Sequence, residues 1–222
     1  MSTSPAPDSP DLQILGRSSS HFTRVAQLFA QELEVPYELV PIFDLTSRDP
    51  QTFAGNPALK MPVLRRADGS QLFGAENICR AIAERAAPEL ASRVVWPEQL
   101  RGDLSRNAQE LVWHAMAAQV QLVLGVMVGK LPGEHPYFEK GRAGFEGALQ
   151  WLDAHLADVL AALPASRRIS LFEVTLFCLI EHLNLRASVP LAPYPALLAF
   201  ARAFAERPAA QRTAYKFDVQ PS

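Results

Sequence analysis

The chain has 222 residues, 49% apolar and 20% charged, with a formal net charge of −2. That length and composition suit one large or two small globular domains, and the balanced charge provides no basic field for nucleic acid. The two cysteines, Cys79 and Cys178, stand far apart in apolar helical patterns. They suggest neither a disulfide framework nor a Cys-x-x-Cys redox pair, and a reduced, cytoplasmic setting follows. No basic-then-apolar leader opens the chain and no uninterrupted apolar run approaches membrane-spanning length, so a soluble protein with no membrane partner is expected.

Residues 1–10 are rich in Ser, Pro and Ala and are expected to form a disordered tail. Leu12 to Leu15 is a short apolar run ended by Gly16, consistent with a buried first strand. Phe22, Val25, Ala26, Phe29, Ala30 and Leu33 then recur at helical spacing, which places Ser18, Ser19 and Ser20 at a strand-to-helix corner. A serine there can cap the helix, and an anion there meets the positive end of the helix dipole. Tyr37 to Ile42 reads as a second strand, followed by an irregular connection over Phe43 to Phe53.

Met61 to Leu64 reads as a third strand, yet Pro62 lies inside it and has no N–H for a ladder. An X-Pro bond reaches the cis form for only about 0.5–1 kcal/mol. A cis Met61-Pro62 bond is therefore expected, with the Met61 amide and carbonyl turned outward toward an extended peptide ligand. Asp68-Gly69 supplies a tight turn into Gln71 to Phe73, and Ile78 and Ile82 mark another helix. The order β-α-β, connection, β-β-α over residues 11–86 predicts an α/β domain with a mixed sheet.

Beyond a linker at 87–97, residues 98–222 are expected to be all-helical, and nothing past Pro97 looks like a strand. Leu104, Leu111, Ala115, Ala118 and Leu122 share one helix face; Phe145, Leu149, Leu152, Leu156, Val159 and Leu163 share another. These two helices should pack antiparallel across a turn near Leu131-Pro132-Gly133. In Ile169-Ser170-Leu171-Phe172-Glu173-Val174, Ser170 and Glu173 have capping-box spacing, and Ile169 and Val174 have that of a hydrophobic staple. A helix must begin there, and its apolar residues on every side predict a buried centre for the domain.

The segment Asn56-Pro57-Ala58-Leu59-Lys60-Met61-Pro62-Val63-Leu64 resembles the cis-proline strand of the thioredoxin fold in the form found in cytosolic glutathione transferases. The capping box resembles that family's helical-domain motif, and Tyr194-Pro195 and Glu206-Arg207-Pro208-Ala209 resemble its last helices. The resemblance runs from about Leu12 to Arg212. It implies a thioredoxin-like domain holding glutathione, a helical domain lining a pocket for a small hydrophobic electrophile, a cytosolic homodimer and a role in detoxification.

In serine-type members a hydroxyl at the start of the first helix stabilises the glutathione thiolate. Ser20-His21-Phe22-x-Arg24 fits that motif best, with Ser18 and Ser19 as alternates and His21 where the family has proline. Lys60, Met61 and Pro62 are implied glutathione contacts. The family's acidic-Ser pair at the third helix aligns with Gly74-Ala75, so both side chains are missing. Glu76 and Asn77, two residues on, either receive the γ-glutamyl end instead or are ordinary helix-start residues. The competing reading is a binding or assembly module that kept the fold and lost the chemistry.

Other patterns carry less. Glu110 and His114, like Trp151 and His155, lie one turn apart, but five scattered histidines make no ligand set. Gly125-x-x-x-Gly129-Lys130 lacks the Ser/Thr and preceding strand of a phosphate loop, and Gly141, Gly144 and Gly147 fall inside a helical pattern. No metal and no nucleotide are implied. Trp113, Met116 and Met127 suit the core, with Trp113 and Met116 also able to face an electrophile.

Overall fold

The computed structural model describes residues 11–220, so the tail expected at 1–10 lies outside the described residues. The chain divides into two compact units: one runs to Ala91 and takes in the segment from Arg212 onward, and the other is Ser92–Gln211. The return of the C-terminal segment to the first unit differs from the sequence reading, which leaves it in the helical domain.

In the first unit β1 (Leu12–Gly16) leads through α1 (His21–Glu32) to β2 (Glu38–Pro41), and β3 (Val63–Arg66) and β4 (Gln71–Phe73) lead into α2 (Ala75–Ala83) and the single-turn α3 (Pro88–Ala91). The sheet order is β2-β1-β3-β4. β1 and β2 are parallel, as a crossover through α1 requires, while β3 pairs antiparallel with both β1 and β4. The hairpin turns at Gly69, whose φ of 80° suits a residue without a Cβ, and Asp68 Oδ1 accepts the Ser70 N–H at 2.8 Å.

Alternation along the strands gives the sheet two apolar faces. Leu12, Ile14 and Leu64 are buried, as are Val25 and Phe29 of α1 and Ile78 and Ile82 of α2; the two helices pack together and on the strands. Complete burial of a side chain such as Phe29 stabilises the fold by about 1.5–3 kcal/mol. Leu15 and Val63 instead join Ile42, Phe53 and Ala54 in a second cluster. The Met61-Pro62 bond is cis, as expected. β3 nevertheless begins at Val63 rather than Met61, because Pro62 has no N–H to donate.

The second unit contains α4 (Gly102–Gln121), α5 (Pro136–Ala162), α6 (Leu171–Leu185), α7 (Pro195–Ala205) and most of α8 (Pro208–Arg212). α4 packs on α5 and α6, and α7 packs on α5 and α6. α6 is the buried centre: Phe172, Val174, Leu176, Phe177, Leu179 and Ile180 are each at most 1% exposed. Two features differ from the sequence reading. Val94–Val95 and Ile169–Ser170 form a two-residue parallel ladder, β5 and β6, where no strand is expected past Pro97. The helix of α4 also continues in π form over Leu122–Val128, so that Gly102–Val128 includes an 18-residue window of mean hydropathy 1.7, 33% buried. By length and composition alone that helix could cross a bilayer; here it is a bundle helix. A thioredoxin-like α/β unit followed by an all-helical unit is the fold class expected.

Candidate active site at one end of the sheet

A single row of paired residues, Val40, Leu15, Val63 and Phe73, crosses all four strands. β1 and β2 run out past this row, β4 ends at it and β3 begins at it. The corner Arg17–Ser20, the loop Lys60–Pro62 and the start of α2 at Gly74–Asn77 therefore emerge from the same end of the sheet. The N-termini of α1 and α2 lie at that end as well, so the positive ends of both dipoles are directed there. Every glutathione-site candidate singled out in the sequence, Ser18 to Ser20, Lys60 to Pro62, Glu76 and Asn77, falls on one of these three segments.

The corner is a tight turn closed by the Ser20 N–H on the Arg17 carbonyl at 3.0 Å. Ser20 has extended backbone angles and is the N-cap of α1, its Oγ accepting the Thr23 N–H at 3.3 Å. Accepting that bond leaves the hydroxyl proton available, and among the described residues it is committed to no acceptor. Ser18 differs. It is 4% exposed, and its Oγ donates to Asp218 Oδ1 at 2.6 Å while its N–H donates to Asp218 Oδ2 at 2.8 Å. Thr23 joins the ends of the corner through its Oγ1, which accepts the Arg17 N–H at 3.4 Å. This close approach explains Gly16: a Cβ there would stand 2.4 Å from Thr23 Oγ1, and Thr23 is fully buried.

Asn56 organises the second segment. Its buried side chain accepts the Ala58 N–H at 3.0 Å and donates to the Lys60 carbonyl at 2.9 Å, holding the loop that delivers Met61 just outside the β3 ladder. The Lys60 side chain is exposed. At the third segment Gly74 precedes α2 with φ 89° and no side-chain cap. Glu76 Oε1 receives Arg80 at 2.7 Å from Nη2 and 3.1 Å from Nε, and Asn77 Nδ2 donates to the Phe73 carbonyl at 3.1 Å. Both side chains thus have partners one turn or less away. Asp218 is the contact that sequence reasoning missed, and its 200-residue separation from Ser18 leaves no local signal.

Elsewhere, Met116 is fully buried, and a cleft of about 430 Å³ between α4 and α5 is lined by Leu111, Ala118, Tyr137 and Phe145 rather than by Met116 or Trp113. His114 pairs with Glu110 at 3.1 Å on the surface, and His155 stacks on Trp151. Among the described residues, no group of three or more His, Cys, Asp or Glu side chains is placed to hold a metal ion.

Residues 19–85 match the family "Glutathione S-transferase, N-terminal domain". The chain is 32% identical over 125 residues to glutathione S-transferase 4 of Zea mays, a match spanning 54% of this chain and 56% of the maize protein. Among solved structures it is similar to a glutathione S-transferase from Methylobacillus flagellatus with glutathione bound: the TM-score is 0.72 at 22% identity, over 92% of this chain and all of that one. A glutathione transferase family member from Pseudomonas fluorescens, also with bound glutathione, gives 0.73 at 18% identity over 92% and 99% of the two chains. Those structural likenesses show a shared fold. Over residues 19–85 the chain is similar to the glutathione S-transferase N-terminal domain, and it spans about half the length of the maize relative it matches.

Proposed function

We propose that the protein is a transferase that conjugates reduced glutathione to small hydrophobic electrophiles, with the Ser20 hydroxyl stabilising the thiolate. The observation that carries this reading is the uncommitted Ser20 proton at the N-terminus of α1, at the same sheet end as Met61. A hydroxyl donating to sulfur favours the charged form, so the thiol proton is released to water and the thiolate becomes the nucleophile. Its sulfur then attacks an electrophilic carbon of the acceptor, and the C–S bond forms either as a leaving group such as halide departs with the electron pair of its bond to that carbon, or as the π pair of an activated C=C bond moves to the neighbouring carbon and takes a proton from water. The Met61 main chain, just outside the ladder, suits pairing with the extended glutathione backbone, and Lys60 offers a cation to a carboxylate. The α2 N-terminus offers main-chain N–H groups to the γ-glutamyl carboxylate, with Asn77 assisting there and Glu76 receiving the γ-glutamyl ammonium. Ser18 is the weaker alternate, since its proton is taken by Asp218. Ser19, in the middle of the turn, remains the other. The protein acts in this reading as a cytoplasmic homodimer, and light scattering at micromolar concentration should return a dimer mass.

The test is calorimetric titration with reduced glutathione, followed by the thiolate absorbance of the complex against pH. The bound thiol should titrate below the free value of about 8.5. Ser20→Ala should raise it toward that value, and Ser18→Ala and Ser19→Ala should raise it less, since both keep the Ser20 hydroxyl. Failure of all three variants to move the titration would rule out serine activation. One observation favours a non-catalytic binding or assembly role instead. Gly74-Ala75 brings no polar side chain to the γ-glutamyl position, and Glu76 is already paired with Arg80. Absence of glutathione binding would select that reading.

A further inference from the structure

We propose that Asp218 is a positioning residue for Ser20, the C-terminal segment acting as a brace across the β1–α1 corner; this rests on the functional reading given above. Ser18 is 4% exposed and its two donors, N–H and Oγ–H, both end on the Asp218 carboxylate, at 2.8 and 2.6 Å. Both are charge-assisted bonds, stronger than neutral ones, and they grip the same residue from two directions. Ser18 is the second residue of the turn that the Ser20 N–H closes on Arg17, so its position fixes where the turn delivers Ser20.

The segment that carries Asp218 is anchored along its length to the same unit. Arg212 Nε donates to Gln31 Oε1 at 2.7 Å, Thr213 is buried, and the Arg24 guanidinium lies 4.3 Å from the centre of the Tyr215 ring. Gln31 and Arg24 both belong to α1, the helix that Ser20 caps. The segment therefore holds the helix and the turn before it as one piece. Without the carboxylate, the buried hydroxyl and N–H of Ser18 lose their acceptors and the turn must shift to find others. A donor displaced by a fraction of an ångström from the sulfur stabilises the thiolate less, although the groups that bind glutathione stay where they are.

Full-length wild type, Asp218→Ala and Asp218→Asn decide the matter by two readouts. Amide hydrogen exchange of the apo protein should be about tenfold faster at Ser18 through Ser20 in Asp218→Ala, with α6 amides unchanged. In the glutathione complex the bound-thiol titration should move toward the free value and kcat should fall about ten- to a hundredfold with KM for glutathione little altered. Asp218→Asn keeps one acceptor and should restore part of both effects. A brace that is only structural would speed exchange and leave the titration unmoved, which overturns the positioning role. Unchanged exchange in Asp218→Ala overturns the brace itself. Wild type that binds no glutathione overturns the functional reading, and with it the claim that the brace serves thiolate stabilisation; wild type that binds, with both readouts unmoved by Asp218→Ala, overturns the Asp218 proposal alone.

Discussion

Two serines begin helices in this molecule, and they use their hydroxyls differently. At α6, Ser170 accepts the Glu173 N–H at 3.1 Å and donates its own proton to Glu173 Oε2 at 2.7 Å. Its N–H also goes to that carboxylate at 3.1 Å, and Arg167 grips the carboxylate at 2.7 and 2.8 Å. The Ser170 hydroxyl both donates and accepts within the box, and the residue itself is 0% exposed. At α1, Ser20 makes only the accepting half of such a box, because the third helical position is Thr23 and the first turn has no acidic residue. The same residue type in the same helical position is thus a closed structural joint in one unit and an open donor in the other. What separates them is whether a carboxylate stands three residues on.

Substituting the two serines in turn puts that contrast to its hardest test. Ser20→Ala is expected to lower kcat for the proposed conjugation by about a hundredfold, the scale of losing one preorganised donor to a developing anion. Its unfolding free energy should fall by about 1 kcal/mol or less, since a 3.3 Å cap contributes little. Steady-state kinetics beside urea denaturation would show whether the loss is catalytic or structural. Next in size is Glu173→Ala, which strips the acceptor from Ser170 and Arg167 together; the side chains of Arg167 and Glu173 are 19% and 12% exposed. The expected cost is about 2–3 kcal/mol in unfolding free energy, from unsatisfied buried donors. Ser170→Ala should cost about 1–2 kcal/mol and leave the bound-thiol titration where it is. A Ser170 variant that moved that titration would contradict the division of roles between the two caps.

The smallest effect concerns an exposed relative of both caps, the Asp68 turn. Hydrogen bonds from Ser70 hold the Asp68 carboxyl below its ordinary value of 3.8. A carboxyl lowered on folding adds stability above its unfolded value and loses it as pH falls through the folded one. The advantage of wild type over Asp68→Asn should therefore be present at pH 7 and vanish on acidification below 3.8, a trend that stability curves for the two proteins across pH would reveal.

Much of this was legible because it is local. The α6 box announces itself in six consecutive residues, and the helical repeat of Phe145 to Leu163 and the turn at Asp68-Gly69 are equally short-range. The three site segments could be read individually, but their convergence depends on the register Val40–Leu15–Val63–Phe73, which no single stretch displays. The ladder of Val94–Val95 with Ile169–Ser170 escaped because two residues are too few for alternation to show. The Glu76–Arg80 pair was within reach, being a carboxylate and a guanidinium four residues apart on a helix. Asp218 was not, since an isolated aspartate between Phe217 and Val219 carries no pattern that names its partner.

The attachment of the Arg212 segment to the first unit also sets a timetable for synthesis. A ribosome extends the chain at about 5–20 residues per second, so the stretch from Ala91 to Asp218 takes on the order of ten seconds. Through that interval the nascent first unit can form its sheet and both covering helices, yet Ser18 has no carboxylate to close on. Its serine corner reaches final form only after the entire helical unit has been translated, which makes the earliest-made half of the protein the last to be finished.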